Sequence, residues 1–161
     1  MPSKLLSVCL KSVNKDDGSI DTESLQSLSQ DLSKLIAQGM KILVSVGGGP
    51  LGEKHVEVAR ESTKKKQFFE KIRSKASVAN SLLVIEALRA IRVKVNAVPL
   101  EGAGNLESFM KTHSWSAIVL ARPDDQSEKS QALSISRKYR ARLLVADSPS
   151  SLQTLLSRGS R

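Results

Sequence analysis

Residues 41–50 read Lys-Ile-Leu-Val-Ser-Val-Gly-Gly-Gly-Pro. An apolar, β-branched run stops at Gly47, Gly48 and Gly49, and Pro50 then opens a helical pattern. Glycines let backbone N–H groups crowd around an anion, and a helix N-terminus adds its positive dipole end. The stretch therefore reads either as a phosphate cradle or as a tight strand-to-helix turn whose glycines supply positive φ. Elsewhere the chemistry is sparse. His55 and His113 have no cysteine or carboxylate at metal-ligand spacing, so no metal site is expected. Asp124 and Asp125 suit a turn and a helix N-cap better than a magnesium ion. Cys9 is the single cysteine and lies in an apolar run without a His or Asn pattern to activate it, which predicts a buried structural thiol. No catalytic residue and no cofactor are expected.

The charge is unusual. A net charge of +9 favours polyanionic partners, or else reflects a solvated basic surface. The cations cluster: Arg60, Lys64, Lys65, Lys66, Lys71, Arg73 and Lys75 form one group, diluted by Glu61 and Glu70. Arg137, Lys138, Arg140 and Arg142 form another. Such clusters suit phosphate-backbone contacts, which give affinity without reading sequence. Aromatic residues are only 3% of the chain, too few for the stacking platforms of single-strand binders.

The elements that would position these residues alternate. Lys4 to Leu10 reads as a buried strand. Asp21 or Thr22 caps a helix with Leu25, Leu28, Leu32, Leu35 and Ile36 at helical spacing, ended by Gly39. Lys41 to Val46 is a second strand, which makes a β–α–β unit with parallel strands. A helix follows from Leu51, and Ser77 to Ile91 is a further helix, apolar on several faces; such a helix is sandwiched in the core or lies in a subunit interface. Strands are expected at Arg92–Val98, stopped by Pro99, then at Ser116–Ala121 and Arg142–Ala146. Helices are expected at Leu106–Lys111, at about Gln126–Tyr139 and after Ser148-Pro149. The pattern predicts an α/β fold, a mostly parallel sheet covered on both faces, in a single domain over residues 1–161. No membrane span or signal peptide is read from the chain, and a cytoplasmic location is expected.

Several of these stretches together resemble the amino-acid kinase superfamily, most closely its archaeal-type uridylate kinase branch. They are the strand Leu5–Leu10, the Ile20-Asp21 pair, Gly39, and Lys41 through Gly49. Val58-Ala59-Arg60-Glu61, Phe69-Glu70-Lys71-Ile72 and Ala79-Asn80-Ser81-Leu82 follow in the family's order, as do Ala117–Ala121 and Leu143–Ala146. The resemblance implies a three-layer αβα sandwich and a phosphate-binding role for Gly47, Gly48 and Gly49. Asn80 matches an asparagine of the family's substrate region; it reads equally as a polar helix position satisfied by nearby backbone.

The sequence also departs from the family. Leu10-Lys11-Ser12-Val13 lacks the glycines of the family's first phosphate turn. Glu53 stands where relatives carry an arginine, and residues 121–130 are glycine-free. The chain also stops where the family's nucleotide-binding C-terminal portion would follow. Phosphoryl transfer depends on positioning and on charge stabilisation. These departures imply a truncated, degenerate, non-catalytic scaffold that binds RNA or a ribonucleoprotein particle such as the ribosome. Lys64, Lys65, Lys66, Lys71, Arg73, Lys75, Arg137, Lys138, Arg140 and Arg142 would be its contacts. The alternative is a kinase for a nucleoside monophosphate or similar acceptor, with a partner subunit supplying the ATP half, or a regulatory subunit of such a kinase. The helix Ser77–Ile91 would then pair with a second copy or a kinase paralogue.

Overall fold

The computed structural model describes residues 4–91, 97–101 and 105–159. Five strands, β1 (Leu5–Leu10), β2 (Lys41–Val46), β3 (Ala97–Glu101), β4 (Ala117–Ala121) and β5 (Arg142–Ala146), form one sheet in the order β3-β4-β2-β1-β5. Every pairing is parallel. The helices are α1 (Thr22–Ala37), α2 (Gly49–Arg60), α3 (Lys66–Arg89), α4 (Leu106–Thr112), α5 (Glu128–Tyr139) and α6 (Pro149–Gly159).

The period-two alternation of the strands sorts their side chains onto two faces. Leu6, Val8, Leu10, Ile42, Val44, Val46 and Val119 meet Leu28 and Leu32 of α1, Ile85 and Leu88 of α3, and Leu152 of α6. Leu43, Ile118 and Leu120 point the other way, against Leu106, Trp115 and Ile135. The result is the expected αβα sandwich. Small residues on the α5 face let that helix approach closely: Ser7 Oγ donates to the Ala132 carbonyl at 2.9 Å, and Gln131 Nε2 donates to Ser45 Oγ at 3.2 Å. Cys9, on the same strand as Ser7, is fully buried, and desolvation pushes its thiol up to about 12.

Local signals set the first β–α–β unit. The Asp21 carboxylate accepts from the Ser24 N–H at 3.3 Å and caps α1. At the other end Gly39 takes φ +94°, and the Met40 N–H bonds the Leu35 carbonyl at 3.1 Å, a Schellman closure that favours glycine.

Two expectations need correction. The segment from Lys66 to Arg89 is one helix of 24 residues, because no glycine or proline interrupts it. Its apolar C-terminal half is sandwiched between the sheet and α1, so Val84, Ile85 and Leu88 are core residues. The third strand begins later than Arg92 and is not stopped by Pro99, which pairs with Val119 inside it. A strand tolerates proline at a sheet edge, and β3 is an edge. Residues 92–96 of the expected strand, like Gly102–Gly104 of the loop after it, lie outside the described residues. Among the described residues no helix is long and apolar enough to cross a membrane.

Candidate functional site

A parallel sheet presents all its carboxyl ends on one edge, and loops leaving that edge are where α/β folds place ligands. Here β1 delivers Lys11 and Ser12, β2 delivers Gly47–Gly49, β4 delivers Arg122, and β5 delivers Asp147. Two adjoining cavities of about 280 and 530 Å³ open at this edge and share Glu53, Arg73 and Arg122.

The glycines are where the surrounding elements come closest. A Cβ on Gly47 would overlap the Lys11 carbonyl, one on Gly48 would sit 2.9 Å from Arg73 O and from Ala76 Cβ, and one on Gly49 would overlap the Ser12 side chain. Gly49 also has φ +50°, a conformation most side chains resist. So β1, α3 and α5 all press on this turn, and any larger residue would push them apart. The turn nonetheless leaves donors open. Gly48 is the N-cap of α2 and brings no side chain to cap it. The Gly52 N–H is the first to bond back, to the Gly48 carbonyl at 3.0 Å. The N–H groups before it have no intrahelical acceptor, and they carry the positive end of the helix dipole.

Asn80 is fully buried beneath the loop. Its Nδ2 donates to Gly47 O at 3.0 Å and to Asn14 Oδ1 at 2.9 Å, and Asn14 Nδ2 returns a bond to Asn80 Oδ1 at 3.3 Å. Its amide is therefore engaged on protein groups and holds the loop from below rather than facing a ligand. Ser77 works the same way. Its Oγ donates to Val46 O at 2.6 Å and accepts from the Arg122 N–H at 2.7 Å, tying α3 to the ends of β2 and β4.

The charged groups of the site are interlocked. Arg73 forks onto Glu53, Nε to Oε1 at 2.7 Å and Nη2 to Oε2 at 3.3 Å, and also pairs with Glu70. Arg122 pairs with Glu70 and approaches Glu128 at 3.8 Å. Lys11 faces Asp147 at 3.4 Å. The hydrogen bond from Arg73 holds the Glu53 carboxyl below its usual range, and in turn raises the Arg73 guanidinium. Only 9% of the Arg122 side chain is exposed, and its Nε–H has no hydrogen-bond partner. A buried, unmatched donor on a guanidinium is unfavourable in itself.

Lys11, Glu53, Glu70, Arg122 and Glu128 were not singled out as site residues from the sequence. Lys11 and Arg122 had a usable signal, since each directly follows a strand at its carboxyl end. Glu53 stood out only as a departure from the relatives' arginine, and the pairings of Glu53 with Arg73 and of Glu128 and Glu70 with Arg122 join different elements.

The two basic clusters are not one surface. α3 packs on the α1–α6 face of the sheet and α5 on the opposite face. Within the first cluster, Arg73 is held among carboxylates, while Lys71 and Lys75 line a groove between α2 and α3. Lys64 and Lys66 line a different cleft, and Lys65 is the exposed N-cap of α3. In the second cluster, Lys138 bridges to Glu107 at 3.2 Å. Arg137 and Lys138 complement the negative end of the α5 dipole, and Arg140 closes that helix at φ +53°. Arg142 opens β5. The two groups of cations thus lie on opposite faces of the sheet.

No protein-family model matches the chain. Uridylate kinases of Methanococcus maripaludis are similar over 73 residues: that of strain C7 is 38% identical across 45% of this chain, and that of strain C6 is 37% identical over the same length. The matched segment is 32% of the length of those kinases. Among solved structures, uridylate kinase from Archaeoglobus fulgidus superposes with a TM-score of 0.68 at 19% identity, covering 88% of this chain and 63% of that one. UMP kinase from Bacillus anthracis gives 0.72 at 15% identity, covering 91% and 66%. These matches overturn the expectation of a non-catalytic, RNA- or ribosome-associated pseudoenzyme. The relatives are kinases, and their likeness favours the kinase alternative. The chain thus shares the fold of these kinases and, over 73 residues, is similar in sequence to the archaeal uridylate kinases, a match that spans about a third of their length.

Proposed function

We propose that this chain forms the acceptor side of a small-molecule kinase site, with a nucleoside monophosphate or a similar phosphorylated small molecule as acceptor. The observation that carries the reading is the buried Arg122 guanidinium. Arg122 lines one cavity together with Gly48, Gly49 and Lys11. An acceptor phosphate placed there would meet the N-terminus of α2, Lys11 and Arg122 together. Phosphoryl transfer rests on such positioning and charge stabilisation rather than on covalent chemistry by the protein. Where the strands β1 and β4 end without glycines, Lys11 and Arg122 provide side-chain cations instead of a backbone cradle. Glu53 tunes the site. By occupying the Arg73 fork it leaves Lys11, paired with Asp147, and Arg122, paired with Glu70 and Glu128, as the cations for which a phosphate would compete. ATP would be held by elements beyond those described, in the same polypeptide or in a partner subunit.

Calorimetric titration with UMP, CMP and AMP tests this, followed by a transfer assay with ATP–magnesium. Saturable binding of a monophosphate is expected, weakened at least about tenfold by Lys11→Gln and by Arg122→Gln, each of which removes one phosphate contact. Absence of binding by every monophosphate, or binding indifferent to Lys11, would reject the reading.

A second reading, pairing with another copy of the chain, rests on exposed apolar residues of α3 and α2. Phe68 is 48%, Leu82 50% and Val58 66% exposed. Sedimentation velocity over a wide concentration range decides it, since a monomer throughout excludes self-pairing.

A further inference from the structure

Beside the candidate site lies a second cleft, between the C-terminal end of α2 and the N-terminal end of α3. Its volume is about 640 Å³, and Arg60, Thr63, Lys64, Lys66, Phe69, Glu70 and Arg73 line it. Four cations face one carboxylate, and that carboxylate, Glu70, is already shared between Arg73 and Arg122. Arg60, Lys64 and Lys66 make no ion pair with any described residue. Arg60 is exposed and lies over the Phe69 ring at 5.6 Å, a cation–π contact beside the cleft. The folded chain thus gathers exposed cations around one concave space with a single carboxylate among them, a local positive field that favours an entering anion.

We propose that this cleft binds a small molecule carrying two or more contiguous phosphates. The shape argues for a compact ligand. Three unpaired cations converge from two helix ends and a loop onto one cavity, whereas an extended polyanion needs charges spread along a track. Several charges close together distinguish an oligophosphate from a single phosphate, because each added negative group meets a further cation. Glu70 and Arg73 form the wall common to this cleft and the candidate site. A ligand that draws on Arg73 competes with Glu53 and Glu70 for it, so occupancy of the cleft is linked to the charge balance at the glycine loop. The inference is independent of the acceptor reading, since none of Arg60, Lys64 and Lys66 lines the cavity beside Gly48 and Gly49.

Calorimetry with inorganic tripolyphosphate tests it, alongside orthophosphate and a single-stranded oligonucleotide, at low and at physiological salt. Tripolyphosphate is expected to bind one per chain and at least about tenfold tighter than orthophosphate. The surface variant Arg60→Gln/Lys64→Gln/Lys66→Gln should weaken it at least about tenfold, while Lys129→Gln/Arg137→Gln/Arg142→Gln, which removes the same charge elsewhere, should change it less than about threefold. Equal losses in the two variants, or no saturation by tripolyphosphate, would overturn the site. So would an oligonucleotide that binds tighter than tripolyphosphate and depends on both clusters. UMP titrated against the same variants separates the two proposals, because the first variant leaves the glycine-loop cavity intact.

Discussion

Two cationic regions meet at Arg73, and they are built on opposite terms. At the carboxyl edge of the sheet, Lys11, Arg73 and Arg122 are each matched to a carboxylate within 4 Å. In the neighbouring cleft Arg60, Lys64 and Lys66 have none. The first region is part of the packing: its cations fasten α2, α3 and α5 around a glycine turn, and only the Arg122 Nε–H is left over. The second concentrates charge, with Arg60 resting on the Phe69 ring. A count of basic residues cannot tell the two apart, since Arg73 and Lys75 are two residues apart in sequence and only Arg73 is tied to carboxylates.

The comparison can be broken most severely at the glycine turn. Gly49→Val combines a disfavoured positive φ with overlap on Ser12, and should cost about 3 kcal/mol or more. Urea denaturation would show it, and a variant of unchanged midpoint would contradict the packing described. Removing Arg122 tests the paired region directly. Arg122→Met leaves Glu128 without its cation and Glu70 with Arg73 alone, and a loss of about 2 kcal/mol is expected, below the full effect of a deeply buried pair.

Glu53→Gln should do much less, within about 1 kcal/mol, because more than half of the Glu53 side chain is exposed. Its pH dependence carries a definite sign. The folded-state pKa of Glu53 is depressed, so its contribution is present above the unfolded value of about 4.3 and fades as pH falls through the folded value. The stability difference between wild type and Glu53→Gln should therefore shrink below about pH 4, measured by denaturation at several pH values. At the unpaired region the sign reverses. Lys66→Glu puts an acidic residue in the first turn of α3, which has none, and should stabilise by about 0.5 kcal/mol. A loss of stability there would mean that Lys66 has a partner inside the chain.

Much of the fold could be read locally. Alternating apolar runs located β1, β2, β4 and β5, and Asp21 and Gly39 bounded α1 through capping chemistry that needs no tertiary partner. The third strand was misjudged because Pro99 stops a central strand but not an edge one, and which strand forms an edge is a property of the whole sheet. The kinase resemblance was legible, while the functional conclusion drawn from its departures was not sound. Glu53 and the missing glycines lie far apart in the sequence, and only the fold puts Lys11, Glu53 and Arg122 in one cavity.

What the sequence determined by itself was a β–α–β frame with a glycine turn at the end of its second strand. That information is local, carried by hydrophobic period, caps and turn residues. The tertiary structure alone decided what surrounds the turn. Strand order brought the ends of β1, β2 and β4 side by side, so residues 11, 48 and 122 line one cavity. The same packing turned Asn80 inward to hold the loop, and divided the basic residues into those neutralised by carboxylates and those left open. Pairing between distant charges depends on distances that only the folded sheet sets.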